Sequence, residues 1–132
     1  MIVIDASALS KYILKEPGWE DIPCYLKKGV SVDHVLKEVA NSIWKAYSRG
    51  HIGLEDAEIK YSALRKIADK VIEVIDQEKL MDKAFKIALN NAITVYDALY
   101  VALAEEERLP LLTSDGKQAD IAEKLGVKVV RC

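Results

Sequence analysis

The sequence has little of what builds disulfide frameworks, zinc sites or membrane spans. It contains two cysteines, Cys24 and Cys132, and neither falls in a C-x-x-C or C-x-x-H spacing. Neither a disulfide framework nor a zinc site is therefore predicted, and a reducing, cytoplasmic setting fits best. No uninterrupted apolar run approaches the roughly 18 residues that a membrane helix requires, and the opening residues lack a basic leader. We expect a protein that is neither exported nor embedded in a membrane.

An excess of positive charge is also missing. The chain of 132 residues has 19 lysines and arginines against 21 acidic residues, a net charge of −2. This balance argues against a partner held mainly by bulk positive charge, such as nonspecifically coated DNA. Individual basic side chains can still contact phosphates, and the candidates are Lys11, Lys15, Lys27, Lys28, Lys45, Arg49 and Lys117.

Strand-like and helix-like segments alternate along the chain. The β-branched run MIVID leads into the helical pattern ASALSKYILK, which ends at Pro17-Gly18. Further strands are predicted at VSV, VIEVI, LPLLTSD and VKVV. Helices are predicted over 33–49, 54–70, 77–89, 92–107 and 116–125, with a short helix or turn within 19–28. Because no hairpin turn joins two strands, the pattern predicts one α/β domain with a parallel sheet and helices on both faces.

Asp97 stands in a segment that otherwise reads as a buried helix. From Ala92 to Ala104 only Thr94 and Asp97 are neither apolar nor aromatic. An unpaired charge in such a helix costs several kcal/mol or else neutralises itself. Thr94 and Asp97 match a capping-box spacing, which is a structural alternative, although such boxes prefer the longer Glu or Gln. No cation stands three or four positions away, where the residues are Ile93, Thr94, Tyr100 and Val101.

Four acidic residues are predicted to meet at one edge of the sheet. Asp5 ends the first strand, Asp115 follows the LLTS strand, and Glu38 and Asp97 lie in early turns of their helices. Ligands of open parallel sheets bind beyond the carboxyl ends of the strands. Clustered carboxylates repel unless they are protonated or bind a cation, and oxygen-only ligands select Mg²⁺ or Mn²⁺. Such ions support phosphodiester hydrolysis, singly or as a pair about 3.5–4 Å apart.

Each of these residues also has a structural interpretation. Asp5 can cap the first helix, Ser7 can serve as a cap or turn residue, and Asp115 with Gln118 has capping-box spacing. Glu38 can lie on a solvated helix face, although none of its neighbours suggests an ion pair. These neighbours, three and four residues away, are His34, Val35, Asn41 and Ser42. We interpret His34 and His51 as surface or packing residues rather than metal ligands.

Four segments in register resemble a known family. VIDASAL, LKEVANSIWK, TVYDALYVALA and LLTSD follow one another as in PIN-domain ribonucleases of the VapC toxin type. The resemblance covers residues 1–132 and implies a three-layer α/β/α PIN fold with a central parallel sheet. It also implies Mg²⁺- or Mn²⁺-dependent endoribonuclease activity at an acidic site formed by Asp5, Glu38, Asp97 and Asp115.

The resemblance further implies a role for each site residue. Asp5 and Asp97 would bind a metal ion, and Glu38 would bind metal or deprotonate the attacking water. Asp115 would hold a second ion, while hydroxyls at Ser7 and Thr113 would support the site or touch phosphate. Many relatives carry another acid shortly after the Asp115 position, whereas here the sequence continues with Gly116, Lys117 and Gln118.

Partners are implied in the same way. Toxins of this type form homodimers and are silenced by a small VapB-like antitoxin that inserts a peptide into the active-site groove. Trp19, Tyr25, Trp44 and Tyr47 can either anchor such contacts or pack in the core. Two other functions compete. A phosphatase of the haloacid dehalogenase kind would need a second Asp at the position of Ser7, and a non-catalytic PIN-like module would bind RNA or protein without cleaving it.

Overall fold

The protein folds around a single five-stranded parallel sheet. The structure, a computed structural model, describes all 132 residues. The strands are β1 (Ile2–Ile4), β2 (Gly29–Val32), β3 (Glu73–Ile75), β4 (Leu111–Thr113) and β5 (Val129–Arg131). Seven α-helices flank them: α1 (Ala6–Ile13), α2 (Pro23–Leu26), α3 (Val35–Ser48), α4 (Leu54–Lys70), α5 (Met81–Asn91), α6 (Val95–Glu107) and α7 (Gly116–Lys124). The predicted α/β/α fold with a parallel sheet is confirmed.

Several element boundaries differ from the prediction by a few residues, and two of these differences have clear local causes. The third strand begins at Glu73 rather than Val71 because the N–H groups of Val71 and Ile72 both donate to the carbonyl of Ile67, which closes α4. The helix that was predicted from residue 92 begins at Val95. Ala92 has a left-handed backbone (φ 54°) that ends α5, and the chain then extends before α6 starts.

The order of the strands opens a crevice beside β1. The order is β3-β2-β1-β4-β5, so the chain first builds outward on one side of β1 and then crosses to the other. Val3 pairs with Leu111 and Ile4 with Leu112, so Asp5 and Thr113 emerge side by side at the carboxyl edge. Parallel sheets bind their ligands at such a reversal.

Helix α6 is the buried centre of the molecule. All seven residues from Ala98 to Ala104 are buried, and the helix packs against α5, β1 and β2. This burial explains its apolar composition on every face and places Asp97 in the first turn, at the carboxyl edge of the sheet. No single helix combines the length and apolarity needed to cross a membrane, and only α5 with its preceding turn and α6, bent by 116°, pass that test as a pair.

Candidate active site

A polar cleft of about 510 Å³ contains three of the four predicted acids. Glu38, Asp97 and Asp115 line it together with Ser7 and Gln118. The fourth acid, Asp5, is fully buried and directly precedes Ala6 and Ser7, which line the cleft. The structure therefore brings the acidic residues that were predicted from sequence to one region of the carboxyl edge.

The two carboxylate oxygens of Asp5 have different environments. Oδ1 accepts hydrogen bonds from the Ser7 hydroxyl (2.7 Å) and the Ala8 N–H (2.9 Å), so Asp5 does cap α1. Oδ2 is buried and has no hydrogen-bond partner. Burial raises the pKa of Asp5 to about 6, against the opposing effect of neighbouring donors on Thr113, Ala8 and Ser7. The cap thus uses one oxygen and leaves the other free.

Hydroxyl groups connect the turn after β1 with the turn after β4. The Ser7 and Thr113 oxygens lie 3.1 Å apart, and the Ser114 N–H donates to the Ser7 oxygen at 3.0 Å. Because Ser7 gives its one hydroxyl hydrogen to Asp5, Thr113 is the donor in the contact between the two hydroxyls. Thr113 in turn accepts from the Asp115 N–H at 3.0 Å. The two predicted supporting residues therefore fix Asp5 and Asp115 relative to each other.

Asp115 caps α7, but its capping box is incomplete. The Gln118 N–H donates to Asp115 Oδ1 at 3.1 Å, as predicted. The Gln118 side chain does not return a bond to Asp115. Its Nε2 instead donates to the backbone carbonyl of Asp97 at 3.1 Å and ties α7 to the first turn of α6.

Asp97 also takes part in only half of a capping box. Thr94 Oγ1 accepts from the Asp97 N–H at 3.2 Å, but the Asp97 carboxylate does not bond back to the Thr94 backbone N–H. Partial burial raises the pKa of Asp97, and the charges of Glu38 and Asp115 raise it further. None of the ion pairs in the structure involves Asp97. The cap explains the position of Thr94 but not the charge at Asp97.

Glu38 is held by two residues that sequence reasoning did not assign to the site. The hydroxyl of the buried Tyr100 donates to Glu38 Oε1 at 2.7 Å, and His34 Nε2 lies 2.9 Å from the same oxygen. The sequence suggested no ion pair for Glu38 among its near neighbours, yet His34, four residues earlier, is one of the two side chains that contact it. Burial and the charge of Glu38 raise the pKa of Tyr100, so its hydroxyl keeps the proton it donates.

The contacts of His34 define its hydrogen position. Nε2 faces two acceptors, Glu38 Oε1 and the Tyr96 carbonyl at 3.0 Å, so Nε2 carries a hydrogen. Nδ1 is buried and has no partner. His34 is thus a packing residue, as interpreted, and also holds Glu38. His51, by contrast, is exposed on the rim of the cleft.

The sequence contained a weak signal for Tyr100. A tyrosine inside an apolar helix usually finds a hydrogen-bond partner when it is buried. Its partner, however, is Glu38, 62 residues earlier. Only the packing of α6 against the sheet brings the two together.

The donors at this site fit a hard divalent cation, although they do not form a ready ligand shell. No three carboxylate or imidazole groups lie close enough together to hold a metal ion as they stand. This spacing is expected of like charges with no cation between them. The unpartnered oxygen of Asp5 and the raised pKa of Asp97 both mark negative charge without compensation. Oxygen donors of this kind suit Mg²⁺ or Mn²⁺.

Comparison with known proteins agrees with this fold. Residues 2–124 match the PIN domain family. Ribonuclease VapC3 of Pyrobaculum aerophilum is 33% identical over 122 residues, which cover 90% of this chain and 92% of that protein. The crystal structure of PAE2754 from Pyrobaculum aerophilum has a TM-score of 0.74 at 25% identity, covering 98% of this chain and 90% of that one.

A more distant match is part of an assembly. A toxin-antitoxin complex from Klebsiella pneumoniae contains a chain with a TM-score of 0.64 at 14% identity, covering 90% of both chains. At this identity the likeness shows the fold alone. The family match and the relative at 33% identity show more: the chain belongs to the PIN-domain family, in its VapC-type group.

Proposed function

We propose that this chain is an endoribonuclease that hydrolyses phosphodiester bonds of RNA in the carboxylate cleft, with Mg²⁺ or Mn²⁺ as its cofactor. The observation that carries the proposal is the meeting of four acids, none of them in an ion pair with a lysine or arginine, at the point where the strand order reverses. The relative VapC3 is named a ribonuclease, which supports the same activity.

Asp5 and Asp97 are the residues we expect to hold the ion. Oδ2 of Asp5 has no hydrogen-bond partner, and Asp97 takes part in no ion pair. Glu38 and Asp115 would complete the set, with Asp115 on the side of any second ion. A bound divalent ion supplies positive charge for the phosphate oxygens and makes water a better nucleophile.

Glu38 is suited to take a proton from the attacking water. Tyr100 and His34 both hold its Oε1, which leaves Oε2 to act as the base. The water oxygen forms a bond to phosphorus, and its proton passes to Glu38. The bond from phosphorus to the 3′ oxygen breaks, and that oxygen takes a proton from solvent. The products carry a 5′-phosphate and a 3′-hydroxyl.

Two partners complete the proposal. The chain would pair with a small antitoxin of the VapB kind, as the likeness to a toxin-antitoxin complex suggests. It would also form a homodimer. An apolar groove of about 520 Å³ between α3 and α4 supports an assembly, since it exposes large side chains of Trp44, Tyr47, Leu54 and Tyr61.

The proposal is tested with end-labelled single-stranded RNA and DNA, each incubated with Mn²⁺, Mg²⁺ or EDTA. We expect cleavage of RNA with either metal, 5′-phosphate and 3′-hydroxyl ends, and no cleavage in EDTA. Asp97→Asn is the matched inactive control. Products that end in 2′,3′-cyclic phosphate, or activity undiminished by EDTA, would overturn the proposed mechanism.

A further inference from the structure

The cleft that holds the acids has a basic end. Lys45, Arg49 and His51 line it together with Glu38. Along α3 and its C-terminal cap residue, Arg49, steps of four, three and four residues lead from Glu38 to Ser42, Lys45 and Arg49. Side chains at these steps share one face of a helix, so one side of α3 carries the acid at its start and two cations at its end.

These two cations are free to bind a ligand. Both are exposed, and neither takes part in any ion pair of the structure. Glu16 lines the same cleft yet pairs with neither of them. An exposed cation on a helix is ordinarily just solvated, as Lys37 is on a different face of α3. Lys45 and Arg49 differ from Lys37 because they lie in the cleft that contains the acids.

We propose that Lys45 and Arg49, with His51 beyond them, bind backbone phosphates of a single-stranded RNA that leaves the acidic centre along α3. This inference rests on the proposed function and names the part of the substrate that the cleft holds outside the scissile bond. The helix rises about 1.5 Å per residue, which puts Lys45 about 10 Å and Arg49 about 16 Å beyond Glu38. A stacked strand advances roughly 3.4 Å along its axis per nucleotide, so these distances, measured along that axis, span about three and about five nucleotides.

The lining of the cleft favours backbone contacts over base contacts. Proteins that grip single strands through their bases use aromatic side chains as stacking platforms. His51 is the only aromatic residue among those that line this cleft. Cations without stacking partners bind phosphates and position a strand without reading its sequence. Lys45, Arg49 and His51, here called the phosphate track, are therefore expected to guide the path of the RNA on one side of the cut.

The first test measures RNA binding in EDTA, where no cleavage interferes, by fluorescence anisotropy across a range of salt concentrations. Each phosphate contact on a single strand contributes about 0.7 to the slope of log affinity against log salt. We expect Lys45→Gln and Arg49→Gln each to lower the slope by about 0.7. Lys37→Gln, on the same helix but outside the cleft, should leave it unchanged. Equal slopes for all three variants, or wild-type binding without salt dependence, would overturn the proposal.

The second test uses RNA cleavage in the presence of Mn²⁺ and asks on which side of the cut the RNA contacts Lys45 and Arg49. We expect Lys45→Gln and Arg49→Gln to raise KM by roughly two- to fivefold with little change in kcat, because these contacts are equal in the ground and transition states. When the RNA is shortened on the side that contacts these residues, the variants and the wild type should have the same KM. When it is shortened on the other side, the difference in KM should remain. If the increase in KM of the variants does not depend on which end of the RNA is shortened, the proposal is contradicted. Absence of cleavage by the wild type refutes the proposed function, while the salt slopes still decide the track.

Discussion

At the scale of single residues, Asp5 combines a structural and a chemical role on its two oxygens. Oδ1 caps α1 through Ala8 and Ser7, and this role is predictable from the strand-helix junction alone. Oδ2 is buried without a partner, and this follows only from the packing of β1 between its neighbours. A buried, half-satisfied carboxylate is costly in its charged form, and a bound cation would remove that cost.

The pKa of Asp5 predicts a particular pH dependence of stability in the metal-free protein. The folded state holds the Asp5 proton up to a pKa of about 6, whereas the ordinary pKa of an aspartate, which applies to the unfolded state, is 3.8. Between these values the folded state binds more protons than the unfolded state, so the free energy of unfolding falls as pH rises, by about 3 kcal/mol in total. Asp5→Asn should lack this contribution.

Denaturant unfolding in EDTA at about pH 4 and about pH 7 measures this effect. The quantity to compare is the difference in the free energy of unfolding between wild type and Asp5→Asn, because the other carboxylates contribute equally to both proteins. From the lower to the higher pH, wild type should lose more stability than the variant does. A difference that stays constant with pH would show that Asp5 titrates normally.

Tyr100 provides a second prediction at this scale. Tyr100→Phe removes the hydroxyl that holds Glu38 at 2.7 Å and leaves the ring in place. We expect a loss of about 1 kcal/mol in the free energy of unfolding. We also expect kcat to fall roughly tenfold or more, with KM little changed. The matched control is Tyr96→Phe, since Tyr96 is exposed and its contacts with His34 do not use its hydroxyl: the backbone carbonyl lies 3.0 Å from His34 Nε2, and the two ring centroids lie 6.0 Å apart. Equal turnover in the two variants would remove Tyr100 from the site.

At the scale of elements, local and distant contacts differ in how far sequence can predict them. The caps of α1, α6 and α7 by Asp5, Thr94 and Asp115 depend on residues three apart, and all three are present. The bonds that hold the site together join residues far apart in the chain. Examples are Tyr100 with Glu38 and Gln118 with Asp97, separated by 62 and 21 residues. No local pattern encodes those partners, so the sequence predicted where the acids meet but not what holds them.

The start of α6 can be tested through its cap. Thr94→Ala removes the oxygen that accepts from the Asp97 N–H and should cost about 1 kcal/mol of unfolding free energy, with or without metal. Thr94→Ser keeps that oxygen and should cost much less. Chemical denaturation of the three proteins in EDTA and in Mn²⁺ measures this. A cost for Thr94→Ala that appears only with Mn²⁺ would mean that Thr94 acts on the metal site and not on the helix.

At the scale of the whole molecule, the two faces of α3 have different chemistry. One face lines the charged cleft, and the other lines an apolar groove with α4. Trp44 and Leu54 are each 60% exposed there, which is unusual for side chains of their size in an isolated domain. Trp44 and Tyr47 therefore lie outside the core, so the core interpretation considered for them is wrong.

The homodimer prediction follows from this groove. Wild type should have a dimeric mass by light scattering across micromolar concentrations, because pairing would cover the exposed aromatic side chains. Trp44→Glu should shift the mass toward the monomer, since it would bury a charge in the interface. The control Phe85→Glu changes another exposed aromatic residue, on α5, and should leave the mass unchanged. A monomeric wild type would contradict the prediction.

The central claim is that Asp97 and its acidic neighbours bind a divalent ion, and melting curves with and without Mn²⁺ test it most directly. Wild type should gain about 2.7 kcal/mol of stability at a hundredfold excess of Mn²⁺ over its dissociation constant. Asp97→Asn should relieve repulsion from Glu38 and Asp115, so its stability in EDTA should hold or rise, while it loses most of the gain from Mn²⁺ and no longer cleaves RNA. A variant that is destabilised equally in both buffers, keeps the full response to Mn²⁺ and still cleaves RNA would contradict the account.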